Sequence, residues 1–368
     1  MNAGIKRNYS FENEKYREKL TKQVLHMDQG VAYNPEYRAS RVMSLYPSRV
    51  AQVIEAVLEG KLKPSKRGAD LVFASILSGQ GERWQNFSEN PGDFLHCAIL
   101  GRELFVNAGF VGSSKRVEIF PSPERESLWT SSIEITANGD YLLFVDDASY
   151  EYTKEAPRKL GEFLKHRDIR LRGRVAGSTG FALLAQGRVE DGIKRLTALV
   201  EELNANGAKK ILTLSGQATY ALTVLADEFE LPRQFETVDI LDVADGIEAK
   251  KAHVYAGSFY SRFLKKSHRL AELTPNQIET PVLNAPEFVP LFDADRRVNG
   301  LGIWASPICP EYAGYGDELG LLQGIRDAAL AEIDRSSFSQ LIVCDPFAYR
   351  ELEKVAAGKL VYFWNLLR

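Results

Sequence analysis

From Asn13 to about Phe110 the apolar residues recur at spacings of three and four, the period of an amphipathic helix. Val50, Val53, Ile54, Val57 and Leu58 make one stripe, stopped by Gly60. Phe94, Cys97, Leu100, Leu104 and Phe105 make another, over about 93–106, stopped by Gly109. Residues 71–93 between them, LVFASILSGQGERWQNFSENPGD, read as a polar, small-residue connection. Residues 113–127, SSKRVEIFPSPERES, carry two prolines and mixed charge and mark a domain boundary. Ile133 and Ile135 then alternate with Glu134 and Thr136, and Asn138-Gly139 separates them from the apolar run Tyr141-Leu142-Leu143-Phe144. Asn-Gly between two apolar runs predicts a β-hairpin.

Helix-like and strand-like patterns alternate from there on. Helices are expected over 155–166 and 189–203, and strands over 169–175, 210–214 and 238–243. From Ala252 the scheme repeats: AHVYAGSFYSRFL stands where YLLFVDDASYEY stood, a helix over 318–333 answers 189–203, and a strand over 340–343 answers 210–214. The closing phrases correspond as well. In ILTLSGQATYAL and LIVCDPFAYREL an apolar strand runs into four residues, Ser215-Gly216-Gln217-Ala218 or Asp345-Pro346-Phe347-Ala348, and Leu222 or Leu352 follows four positions on. The pattern predicts an α/β fold: an N-terminal helical domain, 1–112, and two repeated α/β units, 113–250 and 251–368, with parallel strands joined by crossover helices.

Composition narrows the functions. With 45% hydrophobic and 26% charged residues the 368-residue chain has the makings of a sizeable core. A net charge of −3 leaves no electrostatic footprint for nucleic acid, and Lys265-Lys266-Ser267-His268-Arg269 reads as a solvated face. No apolar run approaches the ~20 residues of a membrane span. The polar start, MNAGIKRNYSFENEKYREKL, does not read as a signal peptide, so a cytoplasmic location is expected. Cys97, Cys309 and Cys344 are too few to hold a zinc ion or an iron–sulfur cluster by themselves, and five scattered histidines show no metal-ligand spacing. No Gly-x-Ser-x-Gly elbow is present, since alanine stands two positions before Ser178.

The order and spacing of these pieces resemble the cysteine-rich, CCG-domain component of heterodisulfide reductase and its relatives. That family carries a cysteine-rich domain twice, each copy with a cysteine, a Cys-Cys-Gly and a Cys-Pro-x-Cys whose thiolates hold iron–sulfur clusters. Laid on this sequence, the first cysteine of copy one falls on Asp147, the Cys-Cys-Gly on Ser178-Thr179-Gly180, and the Cys-Pro-x-Cys on Ser215-Gly216-Gln217-Ala218. In copy two they fall on Ser258, near Ile308-Cys309-Pro310, and on Asp345-Pro346-Phe347-Ala348. Residues 36–60 and 71–109 resemble the ferredoxin-type component of the same enzyme, whose cluster cysteines would fall near Ser75, Ser78, Gly81 and Gln85. The resemblance implies a fusion of the ferredoxin-type and CCG-domain components whose cluster ligands are lost, because Ser, Thr, Ala, Asp and Gln cannot replace a set of thiolates.

From the residues alone, Ser178, Thr179, Ser215 and Ser258 are expected to cap the helices that follow them. Asp147 and Asp345 are candidates for the same capping or for facing each other as an acid pair. Cys97 and Cys344 read as small buried apolar residues, and Cys309 as the same or as a reactive thiol. The resemblance implies a cofactor-free, non-catalytic docking or structural component of a sulfur-oxidising heterodisulfide reductase-like complex. Its partners would be the flavin-carrying, CCG-domain or ferredoxin-type components of such a complex, or a second copy of itself. The alternative is a small-molecule or sulfur-carrier site in the vacated pockets, at Asp147, Ser178, Thr179, Ser215, Ala218, Ser258, Cys309, Asp345 and Ala348. Phe181, Tyr220, Phe259, Tyr260, Phe347 and Tyr349 stand beside those positions as potential filling.

Overall fold

The computed structural model describes residues 8–23, 34–79, 94–112, 122–249, 252–274, 319–321, 323–325, 327, 339–356 and 358–368. They form an α/β fold with parallel strands. Four strands, β1 (Tyr141–Asp146), β2 (Leu171–Gly177), β3 (Lys210–Thr213) and β4 (Glu236–Asp239), make one parallel sheet in the order β2-β1-β3-β4. Three more, β5 (Ala252–Tyr255), β6 (Gln340–Val343) and β7 (Leu360–Tyr362), make a second in the order β5-β6-β7. In the first sheet the chain runs outward from β1 in both directions, so the topological switch point, where doubly wound folds bind their ligands, lies between the carboxyl ends of β1 and β3.

The described part of the N-terminal region is helical. Pro47–Leu58 and Phe94–Asn107 match the two amphipathic stripes. The supposed connection begins instead inside a helix, Lys66–Phe73, capped by Ser65, whose hydroxyl accepts from Gly68 N–H at 3.2 Å. Arg102, fully buried in Phe94–Asn107, fastens this region to the first sheet's domain. Its guanidinium donates to the carbonyls of Val72 (3.3 Å), Phe73 (3.4 Å), Ser75 (2.5 Å) and Ala185. Three of these carbonyls lie at or just past the end of Lys66–Phe73, where the helix dipole favours a cation.

The expected hairpin is absent. Ile135 makes an isolated parallel bridge to Leu171, and Thr136 N–H donates to Leu171 O at 2.7 Å. Strand β1 is central, with β2 and β3 taking both of its edges, so 133–136 has no edge of β1 to pair with. Gly139 serves another purpose: a Cβ there would lie 2.3 Å from Arg172 N, so the turn needs glycine to pass against the backbone of β2. The strand expected over 238–243 is half strand and half helix, Glu236–Asp239 followed by Ile240–Val243, because Asp239 accepts from Leu241 N–H (2.8 Å) and turns the chain. Strand 340–343 is as expected, whereas most of 318–333 lies outside the described residues.

Alternation along β1 places Leu142 and Phe144 on one face and Leu143 and Val145 on the other, all buried. The first face packs on the N-terminal helices and on Val189–Ala205. The second belongs to a core continuous with Val254, Leu341 and Ile342 of the second sheet. The halves meet with an approximate two-fold correspondence. The helix after β3, Gly216–Tyr220, packs on Phe259–Phe263 after β5, and the helix after β6, Pro346–Ala356, packs on Asp147–Tyr152 after β1. Trp364 Nε1 donates across the seam to Leu214 O (3.3 Å), and Trp129, Tyr150, Tyr362 and Trp364 stack through it with ring centroids 4.9–5.8 Å apart.

Candidate functional site

The carboxyl ends of β1, β3, β4 and β6 converge on this seam, carrying Asp146, Ser215, Asp239 and Asp345, none more than 4% exposed. Each is held by the helix it starts. Asp146, not Asp147, is the N-cap of Asp147–Tyr152, accepting from Ser149 N–H at 3.0 Å, while Asp147 accepts from the adjacent Ala148 N–H at 2.9 Å. Of two adjacent aspartates only the one with extended backbone has cap geometry, and that is Asp146 at φ −65°, ψ 155°. Ser215 is an N-cap as expected: its Oγ accepts from Ala218 N–H (3.1 Å) and donates to Asp146 Oδ2 (2.6 Å). Asp345 accepts from Ala348 N–H at 2.8 Å.

Three of the expected caps are not caps. Ser178 and Thr179 make turn bonds to Gly180 N–H (3.2 Å) and Phe181 N–H (3.3 Å), and the cap of Phe181–Ala185 is Gly180, left-handed at φ +77°. A side chain at Gly180 would also lie 2.5 Å from Gly192 O, so this glycine is required twice over. Ser258 precedes Phe259–Phe263 with helical backbone and no side-chain cap bond, because that segment continues a turn already begun. Ala218 and Ala348 are fully buried at the helix starts, and Cys309 lies outside the described residues.

Aromatic side chains occupy the space beside the first copy's ligand positions. Phe259 of the second half packs edge-on to Phe181 (5.0 Å) and against Tyr220 (5.5 Å) and Phe263 (5.6 Å). Pairs of this kind contribute about 0.5–1.5 kcal/mol each beyond the area they bury. Tyr220 OH is in turn 3.0 Å from His96 Nε2, and His96 Nδ1 is 2.7 Å from Tyr9 OH, a buried chain that ties the N-terminal segment to the cluster. In the second half Phe347 packs on Tyr152 (5.9 Å), and Arg350 stacks on the same tyrosine (4.7 Å).

Burial sets the electrostatics. It pushes the Asp345 carboxyl up to about 7, a rise that the Ala348 N–H opposes and the charge of Asp146 increases. Asp239 is raised by burial, against the pull of Lys266 Nζ at 3.6 Å and a hydrogen bond from Thr219. Tyr260 donates to Asp239 at 3.3 Å, and both Tyr260 and Tyr362 are held well above the usual phenol range by burial and by neighbouring carboxylates. Cys344 is fully buried, and desolvation with the charges of Asp345 and Asp239 keeps it a thiol.

The aspartate whose charge bears on Asp345 is thus Asp146, where the sequence pointed to Asp147 and Asp345 as helix caps or as an acid pair. Asp239, Lys266 and Tyr362 join the cluster without any spacing signal, because packing between distant segments brings them together, whereas Tyr260 lies two residues after Ser258, where the sequence places it. The donor set at the described positions, Ser, Thr, Ala and Asp, does not fit an iron–sulfur cluster, which takes thiolates. Among the described residues no helix is long and apolar enough to cross a membrane. Compared with known proteins, the chain matches no family model, no curated protein and no solved structure.

Proposed function

We propose that this chain is a cofactor-free, non-catalytic relative of the CCG-domain and ferredoxin-type components of heterodisulfide reductase, serving as a structural or docking component of a heterodisulfide reductase-like, sulfur-oxidising complex. One observation carries the reading. The groups standing at the strand ends are spent on one another: Ser215 on a helix cap and on Asp146, Asp345 on a cap, and Phe181, Tyr220 and Phe259 on mutual packing. A repeated α/β scaffold that has closed over its ligand positions offers outer surfaces to partners.

Anaerobic purification from the native host, with iron and sulfide analysis and identification of co-purifying chains, tests it. An iron-free chain in stoichiometric complex with flavin-carrying, CCG-domain or ferredoxin-type components supports the proposal. Stoichiometric iron with a visible absorption band refutes it, and so does an iron-free, partnerless monomer that turns over a metabolite. A second reading, a small polar ligand or sulfur carrier bound in the first vacated pocket, draws support from Gln217. Its Nε2 donates to Thr179 (3.1 Å) while its buried Oε1 has no hydrogen-bond partner among the described residues.

A further inference from the structure

We propose that a cavity at the amino end of β2 binds a small zwitterion, an α-amino acid with an aliphatic side chain. The cavity measures about 250 Å³ and lies where the stretch 134–136, the last turn of the helix Ala156–His166 and the residues leading into β2 come together. That is below the ~300–1,000 Å³ of sites for drug-sized ligands and leaves room for one small molecule. Its floor is apolar, made by Leu164, Ile169 and Leu171. Ionisable groups of both signs stand on its walls, Glu134 and Asp168 against Lys165 and Arg170. The seam lies at the other end of the sheet, so this site draws on none of the groups already placed there.

The charges on the same helix and beside it are largely paired. Arg158 meets Glu155 (3.1 Å), Lys159 meets Glu162 (2.7 Å), Arg167 meets Asp245, and Arg170 meets Asp140 (3.0 Å). Glu134, Lys165 and Asp168 make no ion pair or side-chain hydrogen bond among the described residues, and all three line the cavity. Asp168 stands two residues past the helix in the left-handed region, φ +52°, a place after a helix that glycine usually takes. Its N–H is spent on Lys165 O (3.2 Å), and its carboxylate sits at the end of the helix where the dipole favours a cation. An ammonium group between Asp168 and Glu134 answers both carboxylates and the helix terminus, and a carboxylate on the same ligand is left for Lys165. A simple anion leaves the two acids unanswered, and a simple amine leaves the lysine. The aliphatic floor selects an apolar side chain over a polar one.

Saturation-transfer NMR on the isolated full-length chain at low ionic strength tests it. The probes are L-leucine, isocaproate, which is the same skeleton without the amine, and isoamylamine, which is the skeleton without the carboxylate. L-leucine is expected to saturate with a Kd on the order of 1 mM, and each one-charge analogue to bind at least about fivefold more weakly. Asp168→Asn keeps a residue that tolerates the left-handed backbone and removes the charge, and Lys165→Met removes the opposite charge at an exposed helix position. Each is expected to raise the leucine Kd at least about fivefold, with thermal unfolding confirming that both variants fold. Glu134→Gln, on a different segment, gives the same readout should either fail to fold. An analogue that binds as tightly as leucine, a leucine Kd unmoved in either variant, or no saturation up to about 20 mM overturns the proposal. No partner enters the assay, so its outcome is separate from that of the docking reading.

Discussion

Replacing Asp345 by asparagine is expected to stabilise the protein above neutral pH and to leave it nearly unchanged near pH 4. The folded carboxyl titrates at about 7 against an ordinary 3.8, so folding takes up a proton in between. A group raised in this way contributes its full share of stability below about pH 4 and loses it progressively as pH rises through about 7. Three units at 1.36 kcal/mol each set a ceiling of about 4 kcal/mol, and the high effective dielectric of real buried sites argues for about half of that. The amide keeps the cap to Ala348 N–H, and the hydroxyls of Tyr362 and Ser149 stand near as acceptors for its own hydrogens. Urea unfolding of both proteins at pH 4, 5, 6, 7, 8 and 9 measures the difference. The expected result is a variant more stable by about 2 kcal/mol at pH 8, by about 1 kcal/mol at pH 5 and within about 0.5 kcal/mol at pH 4. A difference that does not change with pH, or a variant less stable at pH 8, refutes the reasoning. Asp239, raised in the same direction, leaves a residual slope of the same sign in the variant.

His253 on β5 supplies the opposing slope. Burial lowers it from 6.5 to about 3, so its contribution is complete above about pH 6.5 and is lost as pH falls towards 3. His253→Gln is expected to be more resistant to acid, with an advantage of about 2 kcal/mol at pH 4.5 by urea unfolding and none at pH 8; an equal effect at both refutes the assignment. Between pH 4 and 6.5 the His253 and Asp345 slopes have opposite signs, so the wild-type profile is flat there and Asp345→Asn uncovers the histidine. Arg102→Met strips four backbone carbonyls of their donor and is expected to cost about 3–5 kcal/mol, with Arg102→Lys restoring little because an ammonium cannot span carbonyls on two domains. Thermal unfolding of both variants decides it, and a Lys variant of wild-type stability refutes the bridging role.

The parts of the fold that depend on local pattern are legible in the sequence. Amphipathic periodicity locates Pro47–Leu58, Phe94–Asn107 and Val189–Ala205, and the apolar runs locate β1, β3 and β6. The failures share one cause, which is that strand pairing is not local. Asn138-Gly139 carries every residue-level mark of a hairpin, yet a central parallel strand leaves the preceding segment no edge, and the glycine is there for a close passage over β2. Likewise Asp239 ends β4 two residues into an apolar run that reads as one strand, because a carboxylate able to cap outweighs the weak β preference of the residues after it.

The site divides along the same line. The repeated phrases 215–218 and 345–348 do mark equivalent strand ends, and the helices that follow them make equivalent contacts with the other half. What the phrases do not contain is the facing. A two-fold arrangement puts the end of β1 beside the end of β6 and the end of β4 beside Tyr260, so chemistry written as two separate motifs becomes one buried boundary. The choice between Asp146 and Asp147 follows from that geometry. The capping residue is fixed with its carboxyl in the boundary, and the first helical residue is carried round by the turn to bond its own neighbour. A substitution scan of the two aspartates therefore separates the cap from the residue after it: by urea unfolding, Asp146→Asn is expected to weaken the Asp345 pH dependence only in part, because burial rather than the charge of Asp146 is its largest cause, and Asp147→Asn to leave it as it is.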